Sequence, residues 1–395
     1  MDPDIAAALD LVDAGFDLTV DTRRVVHAMP ELAFQERETT RLIRDRLSTL
    51  GLVELPCPTE TGAVFRLDGG RPGRTVLLRA DIDALPVTEE VDVPYRSRLE
   101  GQMHACGHDG HVAILLATAS VLAQRAETLP GSYVFLFQPG EEFGYGALKM
   151  IAGGVLDGFQ ADRAIGLHLA SPLPTGLVGV RAGVQYSRAQ VFKILLSGAG
   201  AHAAMAGADG NVVLAVSSLS SRLAAVVEDL EYEFVSCACS AGMIRAGTAP
   251  NVVPRQASLE GTFRTFNGEQ YEVASTRLRE LCAVVEAEFT VSAELCLSPV
   301  VPEVINDPAA VAIFRSAAAA AIGADNVFEA PPVQPSDDFS EFLNRIPGVY
   351  YLVGARPGMG MPPMHHAPNF TIDEESLRVG TRTMVAGALA LAAAD

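Results

Sequence analysis

Thr75-Val76-Leu77-Leu78-Arg79-Ala80-Asp81-Ile82-Asp83 decides how this chain is read. It begins as a run of strand-forming residues and ends on two carboxylates. The same order, an apolar run followed by metal-type side chains, returns at 133–137 before Glu141-Glu142 and at 164–167 before His168. In an open parallel sheet, side chains at the carboxyl ends of strands converge on one crevice, so groups far apart in sequence meet there. Cys106-Gly107-His108-Asp109 and His365-His366 add thiolate and further imidazole. That mixture suits a borderline divalent cation better than magnesium or calcium. A hydrolytic metal centre is the first expectation.

Outward from this stretch, residues 1–50 read as helices, with 36–50 amphipathic and ending at Gly51. Strand and helix signals then alternate, with helices at 111–126 and 146–152 between strands at 63–67, 75–79, 132–137 and 164–169. Such alternation implies an α/β catalytic domain whose mostly parallel sheet is flanked by helices. Near Gly183 the pattern changes to strand 190–196, helix 211–230, strands 234–245 and 256–266, helix 268–289 and strand 291–297. Strand-helix-strand-strand-helix-strand is the order of a ferredoxin-like α+β sandwich. The first kind of structure resumes with a helix at 309–322, a strand at 349–353 and a last helix at 374–393. The expected organisation is therefore a catalytic metal-binding domain in two parts, 1–184 and 299–395, interrupted by a substrate-contacting and dimerisation domain at 185–298.

The chain has 395 residues and a net charge of −19. The length exceeds what one core comfortably fills. The charge argues against nucleic acid, whose phosphates need a basic surface. No apolar stretch approaches the ~20 residues of a membrane helix. The start, Met1-Asp2-Pro3-Asp4, lacks the basic segment and apolar core of a signal peptide. Six cysteines without CxxC pairs fit reduced thiols and a cytoplasmic location.

The residues 78–86, Met103-His104-Ala105-Cys106-Gly107-His108-Asp109-Gly110-His111 and Gln138-Pro139-Gly140-Glu141-Glu142 resemble the aminoacylase-like metal-dependent amidohydrolases and metallopeptidases. That family includes hippurate hydrolases, N-acyl-amino-acid amidohydrolases and plant auxin-conjugate hydrolases. Arg24-Val25-Val26-His27-Ala28-Met29-Pro30-Glu31-Leu32, the run from Gly247 to Pro254, Gly261-Thr262-Phe263-Arg264 and His366-Ala367-Pro368-Asn369-Phe370 extend the resemblance over nearly the whole chain. It implies two divalent metal ions per subunit, zinc or manganese, with cobalt or nickel as alternatives. It also implies Cys106, His108, Glu142, His168 and His366 as ligands, Glu141 as general base and Asp83 as a catalytic residue that supports the ligands or is one in its own right. Asp81 stands where more distant relatives carry a ligand His. His202 would reach the metal site of a neighbouring subunit in a homodimer or an assembly of dimers, and Asn251 and Arg264 would contact a substrate carboxylate.

Each assignment competes with a plainer one. Cys106 alone reads as a small buried hydrophobe, Glu141-Glu142 as a solvated acidic pair, and His168 as a core histidine. Their company favours ligand roles, and the spacing to Pro368 selects His366 over His365. His104 and His111 are expected to support ligands rather than act as ligands, since a ligating imidazole needs its other nitrogen oriented. His202 and Arg264 compete with ordinary loop and surface residues. Three departures from the family pattern, at 188–190, 205–208 and 336–339, are expected on the substrate side. The expected reaction is hydrolysis of the amide of an N-acyl amino acid or related small-molecule conjugate. A carboxypeptidase or dipeptidase, an N-carbamoyl hydrolase and a non-catalytic metal-binding protein are the alternatives.

Overall fold

The computed structural model describes residues 3–143 and 145–394, so the opening Met1-Asp2 lies outside it. By its internal contacts the chain divides into two compact units. The first contains the chain up to Gln185, Ile305–Ala330, and the chain from Asp338 onward; the second contains Tyr186–Val304 and Pro331–Asp337.

The first unit is built on a sheet whose neighbours run, edge to edge, Val53–Leu55, Ala63–Asp68, Pro130–Gln138, Arg71–Asp81, Arg163–Pro174, Gly348–Arg356, Val178–Gly179 and Val327–Phe328. The four long central strands are parallel. Antiparallel pairs lie outside them. Tyr133 through Phe137 are all fully buried, as expected where helices cover both faces of a parallel sheet. The helix His108–Ala123 and the helix Glu375–Ala393 are buried along most of their length. Glycines let the latter approach closely: a Cβ at Gly387 would lie 2.7 Å from a Phe314 ring carbon of the helix Pro308–Ile322. Each fully buried Leu, Phe or Ile here contributes roughly 1.5–3 kcal/mol, so packing rather than helix propensity holds the layer.

The second unit is a four-stranded antiparallel sheet in the order Ala238–Ala246, Gln256–Thr265, Arg188–Ser197, Ser292–Leu297. Its helices are Val212–Arg222 and Gly268–Phe289. Arg188–Ser197 and Gln256–Thr265, the first and third strands in chain order, are central, the ferredoxin-like arrangement. Gln256–Thr265 alternates buried and less buried residues, as a sheet with one covered face should.

Three expected elements differ. The helix expected from residue 111 begins at His108, after Gly107 at φ 94°. The helix expected over 211–230 ends at Arg222 and gives way to a 3₁₀ turn, Leu223–Val226. The strand expected over 234–245 is interrupted between Val235–Ser236 and Ala238–Ala246, and Phe234 sits exposed at φ 69°. Among the described residues no helix is long and apolar enough to cross a membrane.

Candidate metal centre

Sheet register assembles the centre. Asp81 pairs with Gln138, and Arg79 pairs with Gly166, so Asp81 and His168 both lie two residues beyond a shared level. Glu141 and Glu142 follow Gln138 through Pro139-Gly140. Gly107 lets the chain turn sharply into the helix that carries His108 and His111, three positions apart and hence on one face. His366 adopts φ 66°, an uncommon conformation for a non-glycine residue, and its N–H donates to the Ala105 carbonyl at 2.8 Å. The last loop is thereby tied to the Cys106 loop.

Ligand atoms of Cys106, His108 and His168 lie within 4.8 Å of one another, as do those of Cys106, Glu142 and His366, and those of His108, Glu141 and Glu142. Cys106 Sγ is 3.5 Å from His168 Nε2, and His366 Nε2 is 3.5 Å from Glu142 Oε1.

Hydrogen bonds decide which imidazoles can act as ligands. His108 Nδ1–H donates to the Asp83 carbonyl at 2.9 Å and His168 Nδ1–H to the Leu169 carbonyl at 2.8 Å. Both therefore present Nε2 to the cluster. Buried His108 Nε2 and Glu142 Oε1 make no hydrogen bond. Two such acceptors aimed at one centre, beside a thiol, fit a divalent cation with N, O and S ligands. His111 is different. Its Nε2 accepts the Leu169 N–H at 3.0 Å, so its Nδ1–H donates to Asp81 Oδ1 at 2.5 Å. Asp81 Oδ2 accepts from Arg79 at 2.5 Å, so both oxygens of Asp81 are engaged. Asp81 and His111 are thus tied to each other, and with His108 they form a further close group of ligand-type atoms. His365 Nε2 accepts the Ser171 N–H at 3.3 Å. Asp83 orients two neighbours, His108 through its carbonyl and Glu142 through Oδ2, which accepts the Glu142 N–H at 3.0 Å.

Burial, reinforced by Glu142, holds the Cys106 thiol well above the usual thiol range. Burial also raises the Glu142 carboxyl to about 7, against the pull of His108. His108 is pulled well up, its burial outweighed by Asp81 and Cys106. His168 is driven well down by burial and the neighbouring imidazoles. A cation at Cys106, His108 or Glu142 competes with a proton, which makes binding pH-dependent.

Two supports were not legible in sequence. Asp338, expected on the substrate side, is instead fully buried: Oδ1 accepts from Arg79 at 3.0 Å and Gln138 at 2.6 Å, and Oδ2 accepts the Ala147 N–H at 2.8 Å. Arg23 and His27, one turn apart on the helix Phe16–His27, reach Asp109 at 2.6 and 2.8 Å, and His27 also meets Glu89 at 3.1 Å. The spacing of Arg23 and His27 was the available signal. His104, expected to support a ligand, is buried with no hydrogen bond at either ring nitrogen.

The other candidates belong to the second unit. His202 pairs with Val252, and the Ala203 N–H donates to the Asn251 carbonyl at 3.0 Å, so His202 and Asn251 adjoin. His202 Nδ1 accepts the Ala204 N–H at 3.2 Å, which leaves its Nε2–H as an exposed donor. Arg264 is not beside them. Its strand begins at Gln256, next to Ser197, and Arg264 lies eight positions further on, about 27 Å at the usual rise. Arg264 Nη1 donates to Ser336 Oγ at 3.1 Å.

Residues 77–390 match the profile of Peptidase family M20/M25/M40. The N-acetylcysteine deacetylase of Bacillus subtilis (strain 168) is 36% identical over 364 residues, covering 92% of this chain and 94% of that protein. The IAA-amino acid hydrolase ILR1-like 2 of Arabidopsis thaliana is 34% identical over 92% of this chain and 83% of its own. The solved structure of the Bacillus subtilis YXEP protein, described as a dinuclear metal binding peptidase, superposes with a TM-score of 0.79 at 32% identity, covering 95% of this chain and 98% of that one. The chain belongs to peptidase family M20/M25/M40 and is a metal-dependent hydrolase of amide bonds.

Proposed function

We propose that this enzyme hydrolyses N-acyl amino acids or related conjugates with Glu141 as general base. The observation that carries the reading is the cluster itself: one thiol, three imidazoles and a carboxylate, with His108 and His168 held so that Nε2 faces inward. Cys106, His108, Glu142, His168 and His366 would hold two divalent cations, zinc or manganese, with cobalt or nickel as alternatives. Cys106, His108 and Glu142 each belong to more than one of the close groups, so the five side chains form one connected cluster. Bound cations of this kind acidify water and polarise a carbonyl.

Glu141 Oε2 lies 3.9 Å from His108 Nε2, at the rim of the cluster and only partly buried. It takes the proton of the attacking water and delivers it to the nitrogen of the departing amine. Glu142, whose N–H is held by Asp83, keeps its carboxylate on the cluster side of the turn. The exposed Nε2–H of His202 suits the oxyanion of the tetrahedral intermediate, with Asn251 beside it. Arg264 presents a planar fork suited to a free carboxylate. Within one unit His202 pairs with Val252, just before the Gln256 end of the strand, whereas Arg264 stands at the other end. A site using both draws them from two subunits, which supports a homodimer or an assembly of dimers. The relatives named for N-acetylcysteine and IAA-amino acid hydrolysis support the substrate class. A cytoplasmic location is part of this reading.

A panel of N-acyl amino acids, N-carbamoyl amino acids and dipeptides, assayed for released amine with zinc, manganese and cobalt, tests it. Activity confined to N-carbamoyl compounds or dipeptides would replace the substrate class. No turnover of any compound by metal-loaded protein would leave a binding role.

A further inference from the structure

Glu36 is a carboxylate with no solvent exposure that the reaction above does not use. It immediately precedes the helix Arg37–Ser48, and its backbone carbonyl accepts the Thr40 N–H at 3.0 Å. The side chain turns toward the strand ends. Oε2 accepts the Thr61 hydroxyl at 2.7 Å, and Oε1 accepts the Gly140 N–H at 3.0 Å. Gly140 is the residue before Glu141-Glu142 and sits at φ 69°. A Cβ there would lie 2.6 Å from the Phe34 ring, and Phe34 itself holds the left-handed conformation at φ 62°. Residues 34–36 therefore clamp Gly140 twice, by a ring against its Cα and by a carboxylate on its N–H.

Burying a carboxylate is costly, and a neutral side chain would accept one N–H at far less cost. A charged acceptor holds that N–H by a stronger and shorter bond than a neutral one. We propose that Glu36 is a positioning residue for Glu141: its ionised carboxylate, steadied by Thr61, fixes the Gly140 turn that aims the base at the cluster. The inference rests on Glu141 being that base. Burial lifts the Glu36 carboxyl to about 7, the Thr61 hydroxyl opposes the rise, and the charge of Asp83 adds to it. The Lys149 ammonium lies over the Phe34 ring at 4.1 Å. Protonation of Glu36 leaves Gly140 with a neutral acceptor, so the base is best aimed above neutrality.

The test measures kcat, KM and metal content of metal-loaded variants across the pH range around neutrality. Glu36→Gln is expected to lower kcat about tenfold, with KM within about twofold and unchanged metal content. Thr61→Val removes the hydroxyl that favours the ionised form, so the acid limb of kcat should move to higher pH. In a Glu141→Gln background, Glu36→Gln should change the residual rate no further, because it acts through the residue already removed. A merely structural role would lower the rate in both backgrounds, and additive losses would overturn the proposal. So would unchanged kcat in Glu36→Gln. Should Glu36→Gln fail to fold, Thr61→Val decides alone, and an unmoved acid limb rejects the proposal. Full activity of Glu141→Gln would instead reject the base assignment, whatever Glu36 does.

Discussion

Adjacent carboxylates such as Glu141 and Glu142 invite the view that they are interchangeable, yet the roles proposed for them, base and ligand, fail differently. Glu141→Gln is expected to keep wild-type metal stoichiometry while losing activity by about two orders of magnitude or more. Glu142→Gln removes a charged ligand and should lose metal as well. Elemental analysis of the two purified variants separates these outcomes, and equal metal loss would refute the split. Glu36 makes a second prediction, on stability. Its carboxyl rises from 4.5 to about 7 on folding, so the unfolded chain releases this proton first. The sign follows: stability present below the unfolded value is lost as pH rises toward 7, by on the order of 3 kcal/mol. Urea unfolding at several pH values should show a flatter slope over this window in Glu36→Gln, and an unchanged slope would count against the raised carboxyl. At this scale the sequence alone was informative where short motifs carry ligand-type residues. It was silent where a role depends on distant partners. Asp338 shows why: nothing near it in sequence announces that Arg79 and Gln138 will meet it in a buried knot.

Elements place these residues by close backbone contact. Gly146 opens the helix Gly146–Ala152, and its N–H donates to the Gly140 carbonyl at 3.1 Å. A Cβ there would lie 1.8 Å from the Pro139 carbonyl oxygen, a backbone atom that cannot step aside. Gly146→Ala should destabilise the protein by about 1–3 kcal/mol and reduce kcat more than its loss of stability predicts, because the helix must push on the Glu141 turn. Thermal unfolding and steady-state kinetics on one preparation check this; an unaltered melting temperature would disprove the contact. Periodicity in the sequence found the helix Gly268–Phe289 and the helix Gly146–Ala152 with their ends, because caps and glycines mark them. It misplaced the start of the helix His108–Ala123, since Cys-Gly-His-Asp-Gly reads as a loop when the left-handed turn at Gly107 is not visible. It overran Arg222 because the apolar residues that follow serve a 3₁₀ turn with the same short-range spacing.

For the molecule as a whole, the proposed exchange of His202 between subunits makes a quantitative prediction. Suppose Glu141→Gln and His202→Ala proteins, each inactive, are refolded together. Random pairing makes about half the dimers mixed, and each mixed dimer has one site with both groups intact, so about a quarter of wild-type activity should return. No recovery, with subunit exchange verified by a tag, would refute the shared site. The interrupted path of the chain has another consequence, for biosynthesis. The strand Gly348–Arg356 pairs with Arg163–Pro174 across the entire sequence of the second unit. Closing so long a loop adds little to the equilibrium cost but delays folding. The second unit's sheet is drawn from one continuous stretch and can form early on the ribosome. The central sheet must wait for the helix Glu375–Ala393 to complete the cover that the helix His108–Ala123 begins. His366 emerges just before that helix, so the nascent chain carries the other four proposed metal ligands, all made by His168, without a finished catalyst. Hydrolytic power waits for His366 and the helix that follows it, and the half-built sheet is the natural client of a chaperone until then.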